Sequence, residues 1–212
     1  MIYPSKKINF IHVPKAAGSS VGHMLRKQVQ KTSDDKSFYE EFAAYAKENG
    51  FAFPNHAPAK IRQKYIGVDV YKTYFSFAFV RNPFDLVVSL YEYTKQKELD
   101  IFKEKGWDLN QYQKNIRDNT FDDWVTNYNT GESQCEWLFS DNGELLVNYI
   151  GKTETYAKDF KIICGAIGVT HEENTRVNVT KRDDYKKYYS TSTRKIIEKN
   201  YHKDFELFGY TF

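Results

Sequence analysis

"FIHVPKAAGSSVGHMLRK", residues 10–27, starts as an apolar run, passes through a stretch holding Pro14, Lys15, Gly18, Ser19 and Ser20, and ends as an amphipathic segment. The run Ile8–Val13 is short and nearly continuous in apolar residues, which suits a strand buried on both faces. Val21, Met24 and Leu25 follow at i, i+3 and i+4, one face of a helix. Strand, small-residue loop with a lysine, then helix is an arrangement that holds phosphate, because a helix start offers unpaired N–H groups and the positive end of a dipole. Ser19 and Ser20 suit either phosphate contact or capping of that helix, and capping is the commoner use of such serines.

A second stretch has the same form. "YFSFAFV", residues 74–80, is the strongest strand pattern in the chain and runs directly into "RNPFDLVVSLYEY". Asn82 is placed to cap, Pro83 fits the first helical position and Asp85 puts an acid in the first turn, so a helix is expected from Pro83 to about Thr94. Lys15 and Arg81 therefore each follow the carboxyl end of a strand and precede a helix. Ligands of open parallel sheets sit outside those strand ends. If the two strands are neighbours, one edge carries a lysine, an arginine and two helix starts, suited to a ligand with two separated phosphates.

The remaining pattern extends an α/β arrangement. Phe38, Phe42 and Tyr45 space a helix, and residues 51–60, interrupted by Pro54 and Pro58, read as a loop. The charged residues 95–118 read as a mobile connection with some helix. Thr120 and Asp123 resemble a capping box before Phe121, Trp124 and Val125. "LLVNYI", residues 145–150, reads as a strand. Tyr156, Phe160, Ile163 and Ile167 space a helix that Gly168 ends, and a last helix is expected near 191–202 before an aromatic tail. Strands alternating with helices predict a three-layer α/β/α sandwich with a mostly parallel sheet. The 212 residues suit one domain, 1–212, with no repeat or linker.

Composition narrows the function. The net charge of +3 excludes a whole-surface field for nucleic acid, so an anion site has to be local. Cys135 and Cys164 are too few for a disulfide framework and form no metal cluster. The start "MIYPSKKINF" has no long apolar segment, so no membrane anchor and a cytoplasmic location are the default expectation. The triphosphatase signature GxxxxGK[ST] is absent: the lysine stands four residues ahead of Ser19. Asp69 in "YIGVDVY" is the only passable magnesium-binding acid for a strand end, so the site is expected to neutralise anions with side chains and no metal.

These motifs carry a resemblance. "FIHVPKAAGSS" is similar to the 5′-phosphosulfate loop of sulfotransferases that use 3′-phosphoadenosine 5′-phosphosulfate (PAPS), and "FAFVRNPFDLVVSLY" to their 3′-phosphate motif, in the style of the carbohydrate sulfotransferases of family 2. "YIGKTETYAKDF" and the closing "YHKDFELFGYTF" continue it, so the likeness runs from Ile8 to Phe212. It implies a fold of the P-loop nucleotide triphosphatase type, PAPS as donor and adenosine 3′,5′-bisphosphate (PAP) as product. It also implies a hydroxylated acceptor, glycan or small molecule. On matching positions it implies that Lys15 contacts the phosphosulfate, that Ala17, Gly18, Ser19 and Ser20 hold the 5′-phosphate, and that Arg81 and Ser89 take the 3′-phosphate. Lys181 and Arg182 resemble a late basic loop that closes over the donor. His56, in "PNHAPAKIR", resembles a histidine that acts as base, a role an imidazole near neutral pKa suits. His12 reads as a structural strand residue. Trp107, Trp124, Trp137 and the 134–136 stretch are candidate acceptor contacts, with core packing the better reading for Trp124. Ala16, Ser19, Leu86 and Lys152 depart from the residues usual in the family. Two other readings stand beside this one: a phosphotransferase with a nonstandard P-loop, and an inactive nucleotide-binding scaffold.

Overall fold

The computed structural model describes residues 1–128, 130–171 and 182–212. The chain folds into two compact units, Met1–Arg81 with Gln134–Asn178, and Asn82–Ser133 with Val179–Phe212.

The first unit holds the sheet. Strands β1 (Ile2–Tyr3), β2 (Ile8–Ile11), β3 (Phe75–Val80) and β4 (Tyr149–Lys152) lie in the order β1-β2-β3-β4. β1 is antiparallel to β2, and the other pairs are parallel, with Phe10 opposite Phe77 and Phe79 opposite Gly151. The expected neighbours β2 and β3 are thus hydrogen-bonded to each other. Both read as continuous apolar runs because both faces are covered: Ile8, Phe10, Ile11, Phe77, Ala78, Phe79 and Val80 are all buried. Helices α1 (Gly18–Gln28), α2 (Ser33–Glu48), α3 (Ala59–Ile66) and the one-turn α4 (Val68–Tyr71) connect β2 to β3. Thr32 opens α2 with a full capping box to Asp35.

Asp69 therefore lies on an exposed helical turn, not at a strand end, which removes it as a metal-binding acid there. The loop expected over 51–60 gives way to α3 at Ala59, because Pro58 is tolerated just ahead of a helix start.

The second unit begins with the α5 helix (Pro83–Tyr93), capped by Asn82 Oδ1, which accepts from Phe84 N at 3.1 Å. The chain does not loosen after it. A π-turn (Thr94–Glu98) leads into α6 (Leu99–Lys105), then α7 (Gln111–Asp118) and α8 (Phe121–Asn127). The polar residues 95–118 form helices through side-chain hydrogen bonds: Thr94 Oγ1 and Gln113 Nε2 both donate to the Glu98 carboxylate, at 2.8 and 2.9 Å, and Asn110 and Gln113 form a capping box. The core of this unit gathers Phe84, Val87, Tyr91, Trp124, Ile197 and Tyr201.

Two boundaries move in the rest of the chain. The short α9 (Cys135–Leu138) precedes Leu145 and Leu146, which pair back on Phe139 and Leu138. β4 therefore starts at Tyr149, four residues later than the apolar run suggests, once Asn148 has bonded Ser76 through both its main chain and its side chain. α10 (Tyr156–Ile167) ends on Gly168 in the left-handed conformation, φ 69°, as expected. The last expected helix is α11 (Thr191–Asn200), and a further helix, α12 (His202–Phe208), follows it, so part of the aromatic tail is helical.

Candidate functional site

The loop after β2 is unusual in its backbone. Lys15 and Ala17 have φ of 60° and 59°, the left-handed region that residues with a Cβ seldom adopt. Such strain persists where the surroundings enforce it, and alternation of this kind turns successive N–H groups toward one point. α1 follows at once, its first turn closed by Val21 N donating to Ala17 O at 3.1 Å. The cap is Ala17, with no side-chain hydrogen bond, so Ser19 and Ser20 sit inside the first turn and do not cap it. Ser19 is exposed and Ser20 buried.

Arg81 closes the gap between the strand ends. Its Nη1 donates to Lys15 O at 3.1 Å, tying the end of β3 to the loop after β2. The Arg81 main chain is held from both sides by one buried amide: Arg81 N donates to Gln134 Oε1 at 2.8 Å, and Gln134 Nε2 donates to Arg81 O at 2.7 Å. Gln134 is thus a support for Arg81, a role that no local pattern in the sequence marks.

His56 ends a short 3₁₀ turn, Pro54–His56, in the same unit. Its ring lies 4.2 Å from that of His12, centroid to centroid, and the His12 ring in turn stacks on Phe10 at 5.7 Å. His12 stands just past β2 and its ring covers Gly18, where an added Cβ would fall 1.6 Å from Nε2. The sequence reading of His12 as a strand residue missed this pairing of imidazoles, since the 43 intervening residues carry no sign of it. Burial, then the neighbouring His56, pushes the His12 pKa down to about 2, so that ring is neutral. Burial also lowers the pKa of His56, opposed by a hydrogen bond with the His12 backbone. A neutral imidazole is the form a base requires.

A cleft of about 460 Å³ opens over these groups, with Gly18, Ser19, His12 and His56 in its wall and His23, Arg26 and Phe53 further out. Phe53 is 73% exposed. Trp137 is not at the cleft; its Nε1 donates to His56 O at 3.0 Å. Trp124 is fully buried in the second unit, as core, and Trp107 is exposed there beside Phe102.

Ser89 and Arg182 belong to the second unit. Ser89 is 4% exposed within α5, and Arg182 pairs with Asp85 through Nη2. Lys181 lies outside the described residues. Among the described residues no group of three or more His, Cys, Asp and Glu is placed to hold a metal ion, and no helix is long and apolar enough to cross a membrane.

No curated protein and no solved structure matches the chain. A family model does, that of the Sulfotransferase family, over residues 1–211. That match takes in both strand ends, the strained lysine loop between β2 and α1, and the arginine bound to its carbonyl. The chain belongs to the sulfotransferase family, the family 2 branch, whose members are transferases acting on hydroxylated acceptors.

Proposed function

We propose that the protein transfers a sulfuryl group from PAPS to a hydroxyl of a carbohydrate or related acceptor, leaving PAP. The observation that carries this reading is the hydrogen bond from Arg81 Nη1 to Lys15 O across neighbouring parallel strands. It puts two cationic side chains on one sheet edge, beside a loop whose φ values suit a nest of N–H groups. The donor fits these residues: its two phosphates need separate cationic contacts, and the start of α1 beside Lys15 offers unpaired N–H groups to one of them. PAPS supplies a sulfuryl group on a phosphate leaving group.

The chain's own part is positioning and charge neutralisation. Lys15 and the N–H groups of Ala17, Gly18, Ser19 and Ser20 hold the 5′ end and offset charge on the bridging oxygen as the S–O bond to phosphate breaks. Arg81 takes the 3′-phosphate. His56 removes the proton from the acceptor hydroxyl as its oxygen bonds to sulfur. The cleft beside His56 admits the acceptor, with Phe53 at its edge as an apolar face for a ring. The family match runs through both compact units, which supports reading 1–212 as one sulfotransferase domain.

The test is sulfuryl transfer from labelled PAPS to a panel of 4-nitrophenyl glycosides, with calorimetry of PAP binding in magnesium-free buffer. Labelled product is expected with wild type, with no transfer by Lys15→Ala. A kinase-like enzyme would bind PAP poorly and require magnesium. A scaffold would bind PAP and transfer nothing.

A further inference from the structure

Three consecutive carbonyls of the turn that carries His56 are each held by a side-chain donor from elsewhere in the first unit. Arg62 Nη2 donates to Asn55 O at 2.9 Å, Trp137 Nε1 to His56 O at 3.0 Å, and Arg62 Nε to Ala57 O at 2.9 Å. The remaining guanidinium nitrogen anchors the same side chain on β2, where Nη1 donates to Asn9 Oδ1 and to Phe10 O, both at 2.9 Å. Arg62 is 0% exposed, and its acceptors are all neutral oxygens.

A buried guanidinium without a carboxylate is a costly way to fill space; an apolar side chain of that volume would do so more cheaply. What the arginine provides is a rigid planar fork that reads main-chain carbonyls on two segments at once, which no apolar side chain does and a lysine does poorly. The fork spans from Phe10, two residues before His12, to Asn55 and Ala57, on either side of His56. Its geometry therefore sets how the His56 ring meets the His12 ring and the cleft.

We propose that Arg62 and Trp137 are positioning residues that fix His56 against His12 for proton removal from the acceptor. This rests on the reading of His56 as the base. Burial also pushes Arg62 down to about 10, still a cation at neutral pH, and its charge favours the neutral form of His56; the Met1 amino group acts in the same direction where it is protonated, though burial holds its own pKa well below the usual value. His12, the other titratable side chain against it, is itself neutral.

Trp137→Phe deletes one N–H donor and keeps the ring; Arg62→Lys keeps the charge and deletes the fork. Each is expected to lower kcat on the best 4-nitrophenyl glycoside about tenfold, with PAP affinity and KM for PAPS unchanged. The His56 ring signal in NMR titration should move up from its lowered position in both variants. In a His56→Ala background, Trp137→Phe should cost nothing more. Unchanged kcat and His56 titration in Trp137→Phe, or the same loss with and without His56, would overturn the positioning role, including in the event that Arg62→Lys fails to fold. Full activity of His56→Ala overturns the base assignment instead, and is read from that single variant.

Discussion

The His12 ring fills the space into which any side chain at residue 18 would project, so the close contact between strand end and helix start depends on a hydrogen in place of a Cβ. Gly18→Ala forces the ring off Phe10 and His56 or shifts the first turn of α1. Overpacking of this kind costs about 1–3 kcal/mol, and we expect that loss in chemical denaturation together with weaker PAP binding. The His12 ring also makes stability depend on pH, and the sign is fixed by the direction of its shift. Its folded pKa, about 2, lies below the unfolded value of 6.5, so the unfolded chain takes up the proton first as pH falls. The contribution is complete above pH 6.5 and is lost progressively between pH 6.5 and 2. From pH 7.5 to 5.5 it amounts to about 1.4 kcal/mol for one imidazole. His56, lowered in the same direction, adds to the slope. Urea denaturation at the two pH values should show this fall, and His12→Gln should flatten it; an equal slope in the variant would mean that other groups carry the dependence.

At the scale of elements, the end of β3 shows how Arg81, proposed to take the 3′-phosphate, is held by a partner distant in sequence. Gln134, 53 residues away, satisfies both main-chain groups of Arg81 and so fixes the direction in which its guanidinium leaves the strand. Gln134→Ala strands a buried N–H and a buried C=O at about 1–3 kcal/mol each, and should weaken PAP binding at least as much as it lowers stability. Unchanged PAP affinity in a folded Gln134→Ala protein would show that Arg81 is aimed without it. The same distance explains which parts of the fold were legible in the sequence. β3, α5 and α10 were readable because local apolar period and caps decide them, as Asn82, Pro83 and Gly168 show. β4 was misplaced because the main chain of Leu145 and Leu146 pairs with residues 138–139, and an apolar run alone does not tell a sheet strand from a segment paired elsewhere. Helices α6 and α7 were hidden by their polarity, their order coming from Glu98, Gln113 and Asn110. In the site, Lys15 and Arg81 were visible as strand-end residues, whereas the roles of Arg62, Gln134 and Trp137 as supports of main chain at Phe10, Arg81 and His56 have no local pattern, since those partners lie dozens of residues away.

For the molecule as a whole, a net charge of only +3 means that affinity for a doubly phosphorylated nucleotide has to come from local contacts, not from a general field. On the proposed reading Lys15 with its loop and Arg81 make separable contributions, and ligands lacking one phosphate would distinguish them. PAP carries the 3′-phosphate and AMP does not. A ligand that binds only the folded chain at 100 times its Kd stabilises it by about 2.7 kcal/mol. For a chain of this size that is roughly 5–11 °C in Tm, at about 2–4 °C per kcal/mol. On the proposed reading, in which side chains neutralise the donor, we expect a PAP shift in that range, a clearly smaller one with AMP at equal concentration, and no change in either on adding EDTA. Arg81→Ala should reduce the PAP shift to that of AMP, whereas Lys15→Ala should lower both. Equal shifts for PAP and AMP with wild type would remove the 3′-phosphate from Arg81. A PAP shift abolished by EDTA would transfer the neutralising role from these cations to a metal ion.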